Sequence, residues 1–459
     1  MDSKTGEAGR SPFDIPNVRL FIAFRVFFNA RFYYPVFTIL FLDFGLSLSQ
    51  FAILNAIWAA VIVCSEVPSG ALADTFGRRN LLVFSGLLMV VEIGLLLLVP
   101  RGNPDLLFGV FIINRILSGL AEAGASGADE ALAYDSLKQA GDVADWSRVL
   151  ERQIQAQSIG FVFAMALGGA VYDLQLMQSL VDFFGLELTV TRAMTLRIPI
   201  ALTLIMALLT LMTTLRMREV AASGDMQAGL EAKTIPEAFR LVFRAGGWIL
   251  RTPFVLIVIL FGLLFDSVIR MLLTMNSQYY RLIGLPEAVF GIIGSGVALL
   301  GFVVPVYARY LADRHTPVYN LGVVSLLVGG GLVGMTFFWP VWGLLPALLL
   351  FATMYFVGFF VSHYLNRATG SEQRATVLSF KGLFFNLGYG LIGLLYSLLL
   401  AFLRRQESFV QAGLSPDQLQ DRLFIESLAW FPGYFVFCLA LLLGFSAWKL
   451  RKSDAHLRV

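Results

Sequence analysis

The chain alternates long apolar runs with short polar turns, and the runs repeat with nearly constant length along its 459 residues. Each is close to the about 20 residues that a helix needs to cross about 30 Å of hydrocarbon. Backbone amides and carbonyls in lipid must be satisfied within their own segment, so runs of this kind predict helices. Twelve are predicted, at 18–44, 50–72, 80–100, 106–128, 152–171, 193–215, 253–282, 288–309, 317–338, 341–365, 376–403 and 426–448. Only the connections 172–192, 216–252 and 404–425 are long.

The polar stretch 216–252 divides the chain into a six-span bundle at 1–215 and a second at 253–459. Thr234 followed by Pro236 and Glu237 predicts a helix start within this linker. Phe239, Val242 and Phe243 alternate with Arg240 and Arg244, the pattern of a helix lying on a membrane surface. A further short helix is predicted at Ser415, Pro416 and Asp417. The fold class is therefore all-α, with twelve membrane-spanning helices in two six-helix bundles.

Composition agrees. Charged residues are 14% of the chain and mean hydropathy is +0.76, against about a quarter charged in soluble domains. The net charge of +3 matters less than its placement. With the N-terminus inside, about 22 of the 34 Lys and Arg fall in inner loops and tails and about 6 in outer loops. A multi-pass protein of the cytoplasmic (inner) membrane with both termini in the cytoplasm is expected. Cys64 and Cys438 both lie inside apolar runs and imply neither a disulfide nor a metal framework. His315, His363 and His456 are scattered, so no nucleophile–base pair or metal site is expected, and an enzyme is disfavoured. No phosphate-cradling glycine loop suggests nucleotide use, and no cofactor is called for. A sensor would need an output domain, for which no segment fits. The expected partners are a small solute and the bilayer, with no nucleic acid, and a monomer suffices.

The two bundles repeat. Gly45-Leu46-Ser47 after span 1 matches Gly284-Leu285-Pro286 after span 7, 239 positions on. The same shift carries Leu72-Ala73-Asp74 onto Leu311-Ala312-Asp313 and Arg31 onto Arg270. Parallel repeats with a binding site between them near the midplane are a transporter plan.

The loop between spans 2 and 3 reads Gly70-Ala71-Leu72-Ala73-Asp74-Thr75-Phe76-Gly77-Arg78-Arg79. This resembles the signature loop of the major facilitator superfamily. Gly77 permits a tight turn, and Asp74 sits where it could accept from amides at a helix end. The resemblance implies an inner latch between the halves made by Gly70, Asp74, Gly77 and Arg78, remade in each transport cycle. In the second copy Asp313 and Arg314 remain, while Arg309 and Pro317 replace Gly70 and Arg78, so an asymmetric latch is expected. Arg115 and Gly119 in span 4 resemble the superfamily's intramembrane arginine motif, linked there to proton coupling. Span 5 has Gly168-Gly169 but Ala164-Met165 where the antiporter motif carries glycine-proline, which disfavours a drug–proton antiporter.

Charges inside spans cost about 2.5–3.5 kcal/mol each on insertion scales and need a reason. At 100° per residue, Arg115, Ser118, Glu122, Ser126 and Asp129 share one face of span 4. On span 7, Asp266 and Arg270 have the spacing of a helical ion pair, with Thr274 and Ser277 beyond. On span 1, Arg25, Asn29 and Tyr33 share a face while Arg31 points elsewhere. Asn386, with Lys381 and Tyr389, represents span 11. These ions either line a cavity or pair among themselves to fix packing. Glu66, Glu92, Glu122 and Asp266 are the candidate proton carriers, with Glu92 alone in span 3. Intramembrane Arg and Lys outnumber the acids, which points to a substrate with negative character. The expected function is secondary active, proton-coupled, alternating-access transport of an amphipathic or anionic organic solute. Efflux is favoured over uptake of a nutrient such as an organic acid or siderophore.

Overall fold

The computed structural model describes residues 11–220, 235–369, 371–406, 409 and 414–456. The first predicted span is two helices. Helix α1 (Pro16–Asn29) stops, and α2 (Phe37–Phe44) restarts after an irregular segment that ends in a single tight turn at Tyr34–Val36. Pro35 has no amide to continue an α-helical ladder, and Ala30 leaves helical geometry with ψ of 75°.

Next come α3 (Leu48–Phe76), α4 (Arg78–Leu98) and α5 (Pro104–Ala125). Ser47 and Gln50 form a reciprocal capping box at the start of α3, satisfying amides that lipid would not. The fourth span ends early. Gly127 takes φ of +77°, and α6 (Ala128–Ala140) leaves in a new direction. The continuous polar face expected from Arg115 to Asp129 is therefore cut at Ser126. Helices α7 (Trp146–Tyr172) and α9 (Arg192–Arg216) are spans 5 and 6, and α8 (Leu174–Phe183) lies between them. Sequence reading missed α8, although Asp173 caps it by accepting from the Leu176 amide at 2.9 Å.

The linker helix α10 (Ile235–Arg251) starts where Thr234 and Pro236 predict, and it packs on spans 2 and 11. The side chains of Phe239, Val242 and Phe243 lie outside the described residues. The last six spans are α11 (Pro253–Thr274) continued after a break by α12 (Asn276–Leu282), α13 (Glu287–Arg314), α14 (Pro317–Met335), α15 (Leu344–Ala368), α16 (Ser371–Arg404) and α18 (Trp430–His456). Helix α17 (Pro416–Leu428) precedes α18 and opens on a Ser415–Gln418 capping box. Among the described residues, eleven helical segments are long and apolar enough to cross a membrane; the divided first span completes twelve.

The repeat is visible in the backbone. Shifting α2 by 239 positions lands on α12, so spans 1 and 7 are both interrupted at the same place. The two sets of six spans meet along two seams, α3 on α16 and α7 on α13. Without a hydrophobic drive between helices in lipid, such seams depend on close backbone approach. A Cβ on Gly291 would overlap the Met165 carbonyl, and one on Gly169 would stand 2.9 Å from the Gly291 nitrogen. At the other seam, a Cβ on Gly393 would be 3.2 Å from the Ala52 carbonyl. Ala52 and Gly291 are themselves 239 positions apart, so equivalent small residues form both crossings. Gly168 has a separate duty: a Cβ there would overlap the Phe32 carbonyl in the broken part of span 1.

Candidate functional site: a cationic chamber closed at one end

Because span 1 unwinds after Asn29, its side chains do not follow helical spacing. Arg31 and Tyr33, expected on different faces, turn the same way and are bonded to each other at 3.2 Å. Both line a chamber of about 350 Å³ between the two sets of six spans. Arg115, Ser118 and Glu122 reach it from α5, Asn55 and Trp58 from α3, Arg270 and Thr274 from α11, and Tyr389 from α16. The repeat-related Arg31 and Arg270 thus converge on one space.

The three guanidinium groups are held differently. Arg31 is 3% exposed and pairs with Glu92 at 2.6 Å, so the lone acid of span 3 has its partner in span 1. Asn114, next to Arg115, donates to the Glu92 carbonyl at 2.9 Å and ties α5 to α4. Arg270 pairs with Asp266 at 2.6 Å, as the four-residue spacing predicts, and donates to Asn386 at 2.9 Å. Arg115 differs: it donates to Asn114 at 3.1 Å and lies 5.3 and 5.2 Å from the ring centres of Phe37 and Phe41. Among the described residues no carboxylate comes within ion-pair distance of it, and Glu122 is not its partner. Glu122 is exposed to the chamber near the end of α5 that approaches the Arg78 loop.

Other expected site residues lie elsewhere. Arg25 is drawn away to Asp129 of α6, and Asn29 donates back to the Arg25 carbonyl at 2.8 Å. Glu66 reaches toward Gly382 of α16, at the seam rather than in the chamber. Among the described residues no metal-binding cluster occurs.

The signature loop is tied within its own half. Gly77, with φ of +90°, turns the chain so that the amides of Arg78 and Arg79 donate to the Glu219 carboxylate at 3.1 and 2.9 Å. The carboxylate sits at the start of α4, where the helix end favours a negative charge. Arg79 also donates to the Leu215 and Met217 carbonyls at the end of α9, and Arg78 pairs with Asp135 of α6. Gly70 faces open space. The Asp74 side chain lies outside the described residues. Asp313 is exposed, and Arg314 donates to Tyr310 one turn back in its own helix. The expected latch between halves is thus not made through Arg78 or Arg314 in this structure.

The halves are joined instead at the opposite end, by residues that sequence reading did not single out. Asp43 receives both arms of Arg281 at 2.8 Å and the Tyr172 hydroxyl at 2.7 Å. Glu287 receives both arms of Arg192 at 2.7 and 2.9 Å and a third donor from Arg281 at 2.6 Å. Asp43 and Arg192 belong to the first six spans, Arg281 and Glu287 to the last six, so two acids and two bases balance across the seam. Ser49 bonds Ser397 across the same end at 2.6 Å, and the Ala288 amide donates to Asp173 at 3.0 Å. The chamber is closed on the Asp43 side.

Two bundles with interrupted first helices, meeting around a charged chamber closed at one end, define a multi-pass membrane transporter rather than an enzyme. The Major Facilitator Superfamily profile matches residues 19–393, and the chain belongs to that family. Among solved structures it is similar to a bacterial homologue of the human lysosomal transporter Spinster, in an inward-facing, unoccupied conformation. That match has a TM-score of 0.66 at 14% identity and covers 98% of each chain. It is also similar to the nucleoside transporter NupG, with a TM-score of 0.65 at 14% identity over 94% of this chain and 98% of that one. A D-xylose–proton symporter matches with a TM-score of 0.58 at 15% identity over 91% and 97% of the respective chains. No curated protein sequence matches.

Proposed function

We propose that this transporter is a secondary carrier of a small organic anion, which binds in the chamber between Arg31, Arg115 and Arg270. The observation that carries the reading is Arg115, a 5% exposed guanidinium with no carboxylate partner among the described residues. A buried cation without a counter-charge is costly, and a negatively charged solute would supply one. The chamber is complete within one chain, so a monomer suffices.

The one-sided closure supports alternating access as the transport mode. In the orientation that the Lys and Arg distribution predicts, the Asp43 end faces outward and this is the inward-open state. The carrier then sits in the cytoplasmic membrane with both termini inside. Opening the Asp43 end requires the four-charge cluster to break and the Arg78 end to close in its place. Glu122 is the coupling carboxylate on this reading, since it shares the chamber with the three arginines and is reached by solvent. A proton on Glu122 leaves the chamber more cationic and favours the anion, so the two would move together. The symporter among the similar structures is named for such coupling.

Counterflow in proteoliposomes tests the proposal with a panel of organic carboxylates and their neutral amides, with and without a pH gradient. Exchange of carboxylates but not amides, accelerated by the gradient in one orientation, is the expected result. Equal exchange of both classes, or lipophilic cation transport alone, would overturn it.

A further inference from the structure

A second cavity adjoins the cationic chamber. It measures about 360 Å³, nearly the same as its neighbour, and the two share Tyr34, Leu273 and Asn276 as a common wall. Its chemistry is opposite. Apart from the shared Asn276 and the hydroxyls of Tyr34, Tyr280 and Tyr355, its lining is apolar, with Phe161 and Met165 from α7, Phe290 and Val297 from α13, and Phe351 and Met354 from α15. Among the described residues no charged side chain lines it.

We propose that the two cavities form one bipartite site, and that the substrate carries an anionic head joined to an apolar body. The head occupies the arginine chamber and the body the aromatic and methionine chamber. The inference rests on the anion reading above and adds the second half of the molecule. Three observations favour a single ligand over two unrelated voids: the shared wall, the matched volumes, and the position at the seam. The apolar chamber is walled by α7 and α13 from opposite halves, so it is remade whenever the halves rock. An apolar body held there would be bound and released in step with its head.

The adaptable character of the second chamber also fits. Met165 and Met354 are flexible and polarisable and fill irregular space around varied apolar shapes. The end of Met165 lies against Gly294 of α13, where an added Cβ would have to displace it. Size selection is accordingly assigned to α13 and α15, away from the charges.

Binding of a homologous series of ω-phenylalkanoates, from phenylacetate upward, tests this with the full-length carrier in nanodiscs. Affinity should rise by about fourfold per added methylene, the ratio for burying one CH₂, until the chamber is full. Ala298→Trp, on the α13 wall, should flatten that rise by filling the space that the longer chains need. Phe351→Ala should move the plateau to a longer chain, which keeps the test available if the bulky variant fails to fold. Arg115→Gln should weaken the whole series in parallel without changing its slope. A flat series in the wild type, or a slope that survives Ala298→Trp unchanged as mere partitioning into lipid would, overturns the bipartite site while leaving the anion reading intact. Equal binding of the matching phenylalkanols would instead overturn the anion reading.

Discussion

The amide of Thr38 donates to the hydroxyl of Ser277 at 3.1 Å, and the two residues are equivalent positions in the repeat, 239 apart. Ile39 donates to the same oxygen at 3.2 Å, and the Thr38 hydroxyl donates to the Thr274 carbonyl at 2.6 Å. Residues that a pseudo-twofold axis relates can touch only where they lie on it, so the axis passes here, just beyond the chamber. Both are fully buried, and α2 and α12 together form a plug. Cysteines at these two positions, in a background with Cys64 and Cys438 replaced by serine, should cross-link on oxidation. Transport should fall to background and return on reduction. Quantitative cross-linking with undiminished transport would show that the plug does not move.

The helical architecture was legible because apolar run length is a direct consequence of bilayer thickness, and only the first run of each half is visibly divided among the described residues. The repeat was legible because turns and inner loops kept their residues. Sequence reading failed where the backbone left its period. No glycine marks the break after Asn29, so helical spacing puts Arg31 on the wrong face, and Pro35 is the one backbone sign of it. Gly127 similarly ended the α5 stripe that helical spacing extended to Asp129. The Asp43, Arg192, Arg281 and Glu287 cluster was invisible for another reason. Its members come from four separate span ends, where isolated charges look like ordinary interfacial residues.

That cluster should set the balance between the two states. Its side chains keep 12–33% exposure, so removing one partner should cost about 1–3 kcal/mol, less than for a fully buried pair. Asp43→Arg should therefore shift the population toward opening at that end by about tenfold or more. Spin-label distances between α2 and α13 are the measurement. Asp43→Arg combined with Arg281→Asp should restore much of the closed population, because the charges exchange sides without changing their sum. No rescue would mean that packing rather than charge holds the end shut.

Arg31 and Arg115 should separate stability from binding. Arg31→Met leaves Glu92, itself 1% exposed, without its counter-ion, a loss of about 3–5 kcal/mol for a buried pair. A clear fall in thermal midpoint is expected, reversed in Arg31→Met with Glu92→Met. Arg115 has no such partner, so Arg115→Gln should leave the midpoint nearly unchanged. Its loss should weaken anion binding by about 10- to 150-fold, the equivalent of about 1.5–3 kcal/mol for a charged hydrogen bond. The opposite pattern would make Arg115 structural.

Glu122→Gln should uncouple the carrier without emptying it. The glutamine stands in for the protonated acid, so anion exchange at equal concentrations on both sides should persist. Accumulation against a gradient, driven by pH in the wild type, should be lost. Matched flux assays with and without an imposed pH difference read both quantities. If Glu122→Gln still accumulates substrate, the proton travels by another route, and the Arg31–Glu92 pair is the next to test.

Three glycines allow the seam of α7 and α13 to be tested against the helix propensity of glycine itself. In an exposed helical position, glycine to alanine stabilises by about 1 kcal/mol, because alanine has fewer unfolded conformations to lose. Gly94 on α4 has nothing within 4 Å of an added Cβ, and Gly94→Ala should raise the thermal midpoint slightly. Gly168 and Gly291 face backbone, which cannot turn aside as a side chain can. Gly168→Ala would push α7 off the broken segment of span 1, and Gly291→Ala would push α13 off α7. Overpacking of this kind costs about 1–3 kcal/mol, enough to reverse the propensity gain. Both variants should lower the midpoint, and both should slow transport more than Gly94→Ala, because the same contacts carry the rocking of the halves and shape the chamber at Arg31. A midpoint for Gly168→Ala at or above that of the wild type would mean that span 1 is free to move away, and that its break is a hinge rather than a fixed wall.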